Sequence, residues 1–428
     1  MGFVEPKNSL VDLWLNRAES LTEHGWLEQH RLNAQARLQS MGLPNRRDEY
    51  WKYTRPDRLI ESTVPSAVTL SSEDQSLFSN FEQIKIVFID GVFSPEMSDN
   101  LEGQDVSIEL LSQTKAKDGH WASDMYGQLE ATGQSPVARP LATLNTALAE
   151  EGVLVHAKGA TLKPVHLVYL RQNESSDVML HHVVKVDSGA SLSLLESGPA
   201  GARSNFVLET DIGAAGSFRH VRIQGRDHQR LAATHHFARL HQESIFKSFT
   251  LTANGALTRN ECVIELLGDD GIAHVAGACV GDGDFVHDDT VFVTHDAVGC
   301  ESRQVFKKVL RNGATGVFQG KILVKQDAQK TDGYQISQSL LLDEDSQFLA
   351  KPELEIYADD VACSHGSTSG AVDEDALFYL RSRGVPKAMA TDMLTLSFLA
   401  EAVNEIDDDQ LIECVVEWLE GWLAKRRT

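Results

Sequence analysis

Residues 188–217 read SGASLSLLESGPAGARSNFVLETDIGAAGS: two β-rich runs framed by small-residue turns at Ser188-Gly189-Ala190-Ser191 and Ala215-Gly216-Ser217. Glycine, and asparagine less readily, supplies the positive φ that turns a strand sharply, and the small residue after it lets stacked turns approach. The same turn returns at Lys158-Gly159-Ala160-Thr161, Asn254-Gly255-Ala256 and Asn312-Gly313-Ala314-Thr315, each time between β-rich runs. Its glycines are 27 to 58 residues apart, as expected if some copies lie one coil apart and others two. Many short strands without intervening helices of about 10 to 15 residues disfavour a doubly wound α/β sheet. A β-sandwich, a barrel and a β-solenoid are left, and the imperfect repeat favours the solenoid.

Outward from this stretch, residues 83–372 keep the β texture. KIVFIDGVF (Lys85 to Phe93) reads as a hairpin turning at Asp90-Gly91, and a short helix is expected near Leu141 to Ala149. Residues 1–82 form an N-terminal helical region and linker: Leu10, Leu13, Leu21, Trp26, Leu32 and Leu38 recur at roughly helical spacing before Gly42 and Pro44. The aromatic and charged segment LPNRRDEYWKYTRP then has the composition of chain that packs on a neighbouring element. Residues 373–428 form a C-terminal helical domain. Asp373 starts one helix that Gly384 ends, Pro386 opens a second, and Asp407 to Asp409 cap a third with Leu411, Val415, Trp418, Leu419 and Trp422 on one stripe.

The chain has 428 residues, 42% of them apolar, enough for a large core. Its formal charge of −23 argues against nucleic acid or an anionic membrane as partner and favours basic protein partners. MGFVEPKNSLVDLWLNRAES shows no basic segment followed by an apolar one, and no run of about 18 apolar residues occurs, so neither a secretory signal nor a membrane span is expected. The five cysteines are scattered and never in CxxC spacing, which fits free thiols in a reducing cytoplasm.

Nucleotide chemistry finds no support: GVFQGKI (Gly316 to Ile322) lacks the glycine spacing and hydroxyl of a phosphate loop. His287, Asp289 and His295 share one face of an extended strand, but the histidines lie roughly 26 Å apart at about 3.3 Å per residue, so a solvated or partner-facing β-face is expected there. His181-His182 and His235-His236 place their rings on opposite faces. Cys363 and His365 differ, because residues i and i+2 of a strand point to one side about 7 Å apart and can serve one metal or cluster. A buried structural cysteine beside a hydrogen-bonded histidine is the competing reading. Two ligands do not close a tetrahedral site, so a metal bound there is shared with another chain or held transiently.

The runs GVFQGK, QKTDGYQ, KPELEIYADDVACSHG and LFYLRSRG, with LPNRRDEYWKYT upstream, resemble the SufB/SufD family of iron-sulfur cluster assembly proteins, and within it the SufD branch. That resemblance implies a right-handed parallel β-helix between helical domains. It also implies a non-enzymatic scaffold subunit of the SufBCD complex, paired with SufB through the β-helices and recruiting a SufC ATPase that hydrolyses ATP. His365 matches the histidine placed at the SufB interface and Cys363 its companion, so a nascent cluster or iron is shared with SufB rather than held alone. The helix Asp373 to Arg383 and the segment after it are the expected SufC dock, with Phe378, Tyr379, Arg381 and Arg383 as anchors. A homodimer of the isolated chain and reduced flavin in the complex are left open. The rivals are a β-helix carbohydrate-active enzyme and an interaction scaffold unrelated to iron.

Overall fold

The computed structural model describes residues 7–18, 25–67, 78–103, 105–114, 117, 119–225 and 227–425. Two ten-stranded sheets enclose the main core. The first runs β2 (Val92–Phe93), β1 (Ile84–Ile89), β6 (Val165–Leu170), β8 (Ser191–Ser197), β10 (Ser217–Gln224), β12 (Ile245–Ala253), β14 (Ile272–Asp282), β16 (Glu301–Arg311), β18 (Asp332–Leu341), β20 (Ala362–Gly370). The second runs β19 (Gln347–Ile356), β17 (Thr315–Val324), β15 (Val286–His295), β13 (Leu257–Leu266), β11 (Leu231–Leu240), β9 (Arg203–Ile212), β7 (Asp177–Val186), β5 (Val153–Ala157), β4 (Val106–Leu110), β3 (Glu102–Gly103). From β5 and β6 onward, successive strands alternate between the sheets and pair in parallel, so the chain winds as a parallel β-solenoid of about seven turns. One coil takes between 26 residues (Asp177 beside Arg203) and 32 (Thr315 beside Gln347).

The corners explain the repeated turn. Gly189, Ala215, Glu243, Asp270, Gly299 and Lys330 all take positive φ, and each donates its N–H to a corner carbonyl of the next coil. The acceptors are Ala214, Gln242, Asp269, Val298, Gln329 and Asp360, at 2.6 to 2.9 Å, so the corners form a continuous ladder of their own. Gly159, Gly189 and Gly216 lie on this corner, whereas Gly255 and Gly313 mark the opposite one, where even-numbered strands hand over to odd. The 39 residues from Gly216 to Gly255 are therefore one and a half coils rather than one or two. At Gly268 the requirement is room: a Cβ there would stand 2.0 Å from the Gln242 nitrogen of the preceding coil.

Inside, Phe206, Phe218, Phe246, Phe306 and Phe318 pack with Leu and Val from both sheets, each contributing about 1.5–3 kcal/mol on burial. Outside, both sheets are covered. Helices α1 (Lys7–Leu15), α2 (Trp26–Met41) and α6 (Pro140–Leu148) lay Trp14, Leu38, Leu144 and Leu148 against Leu231, Ala233 and Leu257 of the second sheet. Three one-turn helices, α3 (Asp57–Ile60), α4 (Leu111–Thr114) and α5 (Gln128–Thr132), lie in connections. At the other end of the chain come α7 (Glu374–Ser382), α8 (Lys387–Val403) and α9 (Asp409–Lys425). Leu399, Val403, Val415, Trp418 and Trp422 pack on Phe249, Leu251, Val280 and Val305, so these helices share a core with the first sheet. Ion pairs Arg303–Glu405 (2.6 Å) and Lys307–Glu401 clamp α8 and its end to β16.

The aromatic segment after α2 straps the second sheet. Trp51 lies over the Arg259 guanidinium at 4.1 Å, and the Tyr50 carbonyl accepts hydrogen bonds from Arg259 (2.9 Å) and Gln319 (3.1 Å). The Tyr50 hydroxyl donates to Glu353, which ties the strap to β19. The β1–β2 hairpin turns at Asp90-Gly91 as its sequence suggests, pairing Phe88 with Phe93.

Candidate functional site

The two ends of the solenoid differ. At one, the β1–β2 hairpin and the antiparallel β3–β4–β5 arrangement close the sheets. At the other, β19 and β20 are the last strands of their sheets, no described strand pairs beyond them, and the side chains of β20 are largely exposed while those of β19 are mostly half-buried. Two strand edges with free backbone donors and acceptors thus lie at one end, a template for pairing with another chain.

The alternation of β20 aims Cys363, His365, Ser367 and Ser369 at the solenoid interior, in register with Gly333, Gln335, Ser337 and Ser339 of β18. No further coil covers them, so what would be core is an open mouth. Ser337–Ser367 and Ser339–Ser369 hydroxyls hydrogen-bond at 2.6 Å each, a polar floor along the last strand. Facing it, Phe348, Ala350, Pro352 and Leu354 occupy the interior-facing positions of β19. His365 is exposed and makes no hydrogen bond or ion pair with described residues. Cys363 is half-buried against Ile322, Val324, Ala328 and Ala358, and its Sγ sits over Gly333, where a Cβ would approach to 3.1 Å. Burial pushes the Cys363 thiol up from its ordinary value, so it stays protonated near neutrality unless a cation displaces the proton.

The structure therefore brings the two sequence-picked donors together at an open end, with the imidazole presented outward. Among the described residues no cluster of three or more His, Cys, Asp or Glu side chains could hold a metal ion. Cys363 and His365 supply two donors of a four-donor shell and nothing here completes it.

The other candidates separate clearly. His287, Asp289 and His295 are buried inside the solenoid, not on a solvated or partner-facing face. His287 lies 2.8 Å from Lys308 Nζ, Lys308 pairs with Asp289, and His295 lies 2.8 Å from the Ser302 hydroxyl. The strand face read as outward is the inner one because α-helices and the strap cover the other side. His181 and His182 do point opposite ways: His181 outward, 2.7 Å from Glu209 Oε1, and His182 inward, where its Nδ1 accepts from Val153 N–H. Asp373 caps α7 through the Asp375 and Ala376 N–H groups.

On α7, Phe378 is 72% and Tyr379 57% exposed, and Met389 and Met393 of α8 are 44% and 46% exposed. Arg381 and Arg383 are exposed and form no ion pair with described residues, and the Arg383 guanidinium lies 5.0 Å from the Tyr379 ring. Phe378 and Tyr379 thus leave most of their surface outside the helical layer. Met389 and Met393 escaped sequence reasoning, although their spacing of four on a helix beginning after Pro386 places them on one face.

The family described as "SUF system FeS cluster assembly, SufBD core domain" matches residues 169–398, and the "SufBD protein N-terminal region" matches residues 4–164. The iron-sulfur cluster assembly protein SufD of Escherichia coli is 27% identical over 400 residues, covering 90% of each chain. The SufD protein of Bacillus subtilis is 24% identical over 408 residues, covering 91% of this chain and 92% of its own. A SufBD family protein of Synechocystis is 28% identical over 416 residues, 90% of this chain and 88% of its own. No helix among the described residues is long and apolar enough to cross a membrane. With a family core domain spanning more than half of its length and a family N-terminal region before it, the chain belongs to the SufBD family of iron-sulfur cluster assembly proteins.

Proposed function

We propose that this chain is a SufD-type scaffold subunit that stacks the open end of its solenoid on the like end of a SufB-type partner and shares nascent iron or cluster cargo across the seam. The observation that carries this reading is the exposed, unpartnered His365 in the uncapped mouth between β19 and β20. A mouth lined by would-be core residues gains most from being covered by another coil, and two free strand edges supply the backbone hydrogen bonds to do it. The incomplete donor set of Cys363 and His365 is then completed from the partner, and neither chain holds the cargo alone. In the isolated chain the same edges favour self-pairing, a homodimer.

The α7–α8 face recruits a SufC-type ATPase, which supplies the ATP hydrolysis, and Phe378, Tyr379, Arg381 and Arg383 are its anchors. In this reading the chain acts in the cytoplasm, where its five scattered cysteines stay reduced, and without catalysis of its own. Reduced flavin is left open in this reading, as a ligand of the assembled complex rather than of this chain alone. A carbohydrate-active enzyme would need a substrate groove along an outer face, and here both outer faces carry helices.

The test is co-expression with SufB and SufC partners, followed by measurement of complex yield, iron and sulfide. His365→Ala is expected to leave the complex assembled and to lower its iron content severalfold. Retention of both assembly and iron would make the imidazole structural and end this reading.

A further inference from the structure

We infer that Gln335, held by Gln304, is a positioning residue for His365: its side-chain oxygen receives the imidazole N–H while the opposite ring nitrogen faces the iron cargo. This rests on the proposed role of His365 and adds to it the group that orients the ring.

Gln304 of β16, Gln335 of β18 and His365 of β20 form one interior-facing column, each in register with the next. Parallel register stacks such side chains about 4.8 Å apart, one strand spacing. Both glutamines are fully buried. Gln335 Nε2 donates to Gln304 Oε1 at 2.9 Å, and in this arrangement Gln335 Oε1 has no partner among the described residues. A buried carbonyl oxygen left unpaired costs about 1–3 kcal/mol, which an N–H brought to it would recover. The space for this amide comes from Gly320 on the facing strand, where a Cβ would stand 2.3 Å from Gln335 Nε2.

The next member of the column is His365, which lacks any hydrogen-bond partner among the described residues. One group is an acceptor without a donor; the other carries an N–H without an acceptor. A metal-bound imidazole characteristically donates its second N–H to a carbonyl or carboxylate, which fixes the tautomer and raises the basicity of the ligating nitrogen. Gln335 is placed to supply that acceptor from below while the open mouth leaves the other nitrogen to the cargo. Cys363 cannot play this part, since its sulfur sits over Gly333, one step along the strand.

The experiment uses the full chain in complex with its SufB and SufC partners and reads ferrous iron affinity by chelator competition, alongside complex yield and melting temperature. Gln335→Met keeps length and volume but removes the acceptor, and is expected to weaken ferrous binding about 10–100-fold with assembly intact. Gln335→Glu restores an acceptor and recovers the affinity, because Gln304 can turn its own unpartnered Nε2 toward the new carboxylate. Wild-type affinity in Gln335→Met, with loss in His365→Ala, would overturn the positioning role and leave the function of His365 standing. Equal loss in the Met and Glu variants would show a merely structural residue and overturn it too. Full binding by His365→Ala would refute the underlying reading itself.

Discussion

Lowering the pH from 7.5 to 5.0 is expected to remove several kcal/mol of unfolding free energy, on the order of 2 kcal/mol for each strongly depressed histidine, against the roughly 5–15 kcal/mol that holds a typical domain. The cause is histidine buried in neutral form. Burial pushes His166 down to about 3, and His182 and His295 down to about 4, from an ordinary value near 6.5. Each is held by partners that need no positive charge: His166 by Gln83 and Ser197, His182 by Val153 N–H and Tyr169, His295 by Ser302. Below 6.5 the unfolded chain takes up protons that the folded chain refuses, so stability is complete above that pH and drains away between 6.5 and about 4. At pH 5 the loss is about 2 kcal/mol for each imidazole. His220, His236 and His287 are also depressed by burial and act with the same sign. Glu196, held well below its ordinary value by Arg222 and His220 against the opposing cost of burial, contributes only at lower pH, as do similarly paired carboxylates. Urea unfolding at the two pH values should show the loss, and in His295→Gln the difference should shrink by about 2 kcal/mol. An undiminished difference in that variant would clear His295 of any part in it.

The double substitution Arg381→Glu with Arg383→Glu should abolish co-purification of a SufC-type ATPase while leaving this chain folded. Both side chains are exposed and form no ion pair with described residues, so reversing them removes no internal contact beyond the stacking of Arg383 on Tyr379. They follow the exposed Phe378 and Tyr379 in the chain, and Met389 and Met393 are exposed on the next helix, large apolar side chains that a monomer has little reason to leave in water. Arginine and aromatic anchors at such a centre are commonly worth about 2 kcal/mol or more each, so two reversals weaken binding by roughly 1,000-fold. Undiminished recovery of the ATPase would place its dock elsewhere. Because Lys307 and Arg303 tie α8 and its end to β16 through Glu401 and Glu405, this face is linked rigidly to the first sheet and through it to β20.

Much of this arrangement can be read before any coordinates. The turn at Gly189, the Asp90-Gly91 hairpin, the cap at Asp373 and the pairing of Cys363 with His365 all follow from local rules of φ, capping and strand alternation. Three things do not. The corners at Glu243, Asp270 and Lys330 take positive φ without glycine, so a search for small-residue turns passes over them and mistakes half-coil steps for whole ones. The face of β15 bearing His287 and His295 looks polar enough for solvent, and only the helices and strap over the opposite face make it the inner one. The column of Gln335, Ser337 and Ser339 recurs 30 residues later as His365, Ser367 and Ser369, a step of one coil that becomes meaningful once the register is known.

The claim on which the rest depends is that the uncapped end of the solenoid is the seam with a sister subunit. Hydrogen–deuterium exchange of this chain, alone and bound to a SufB-type partner, addresses it directly. Strong new protection of Gln347–Ile356 and Ala362–Gly370 is the predicted result; unchanged exchange in both strands, with protection appearing on another surface, would contradict it.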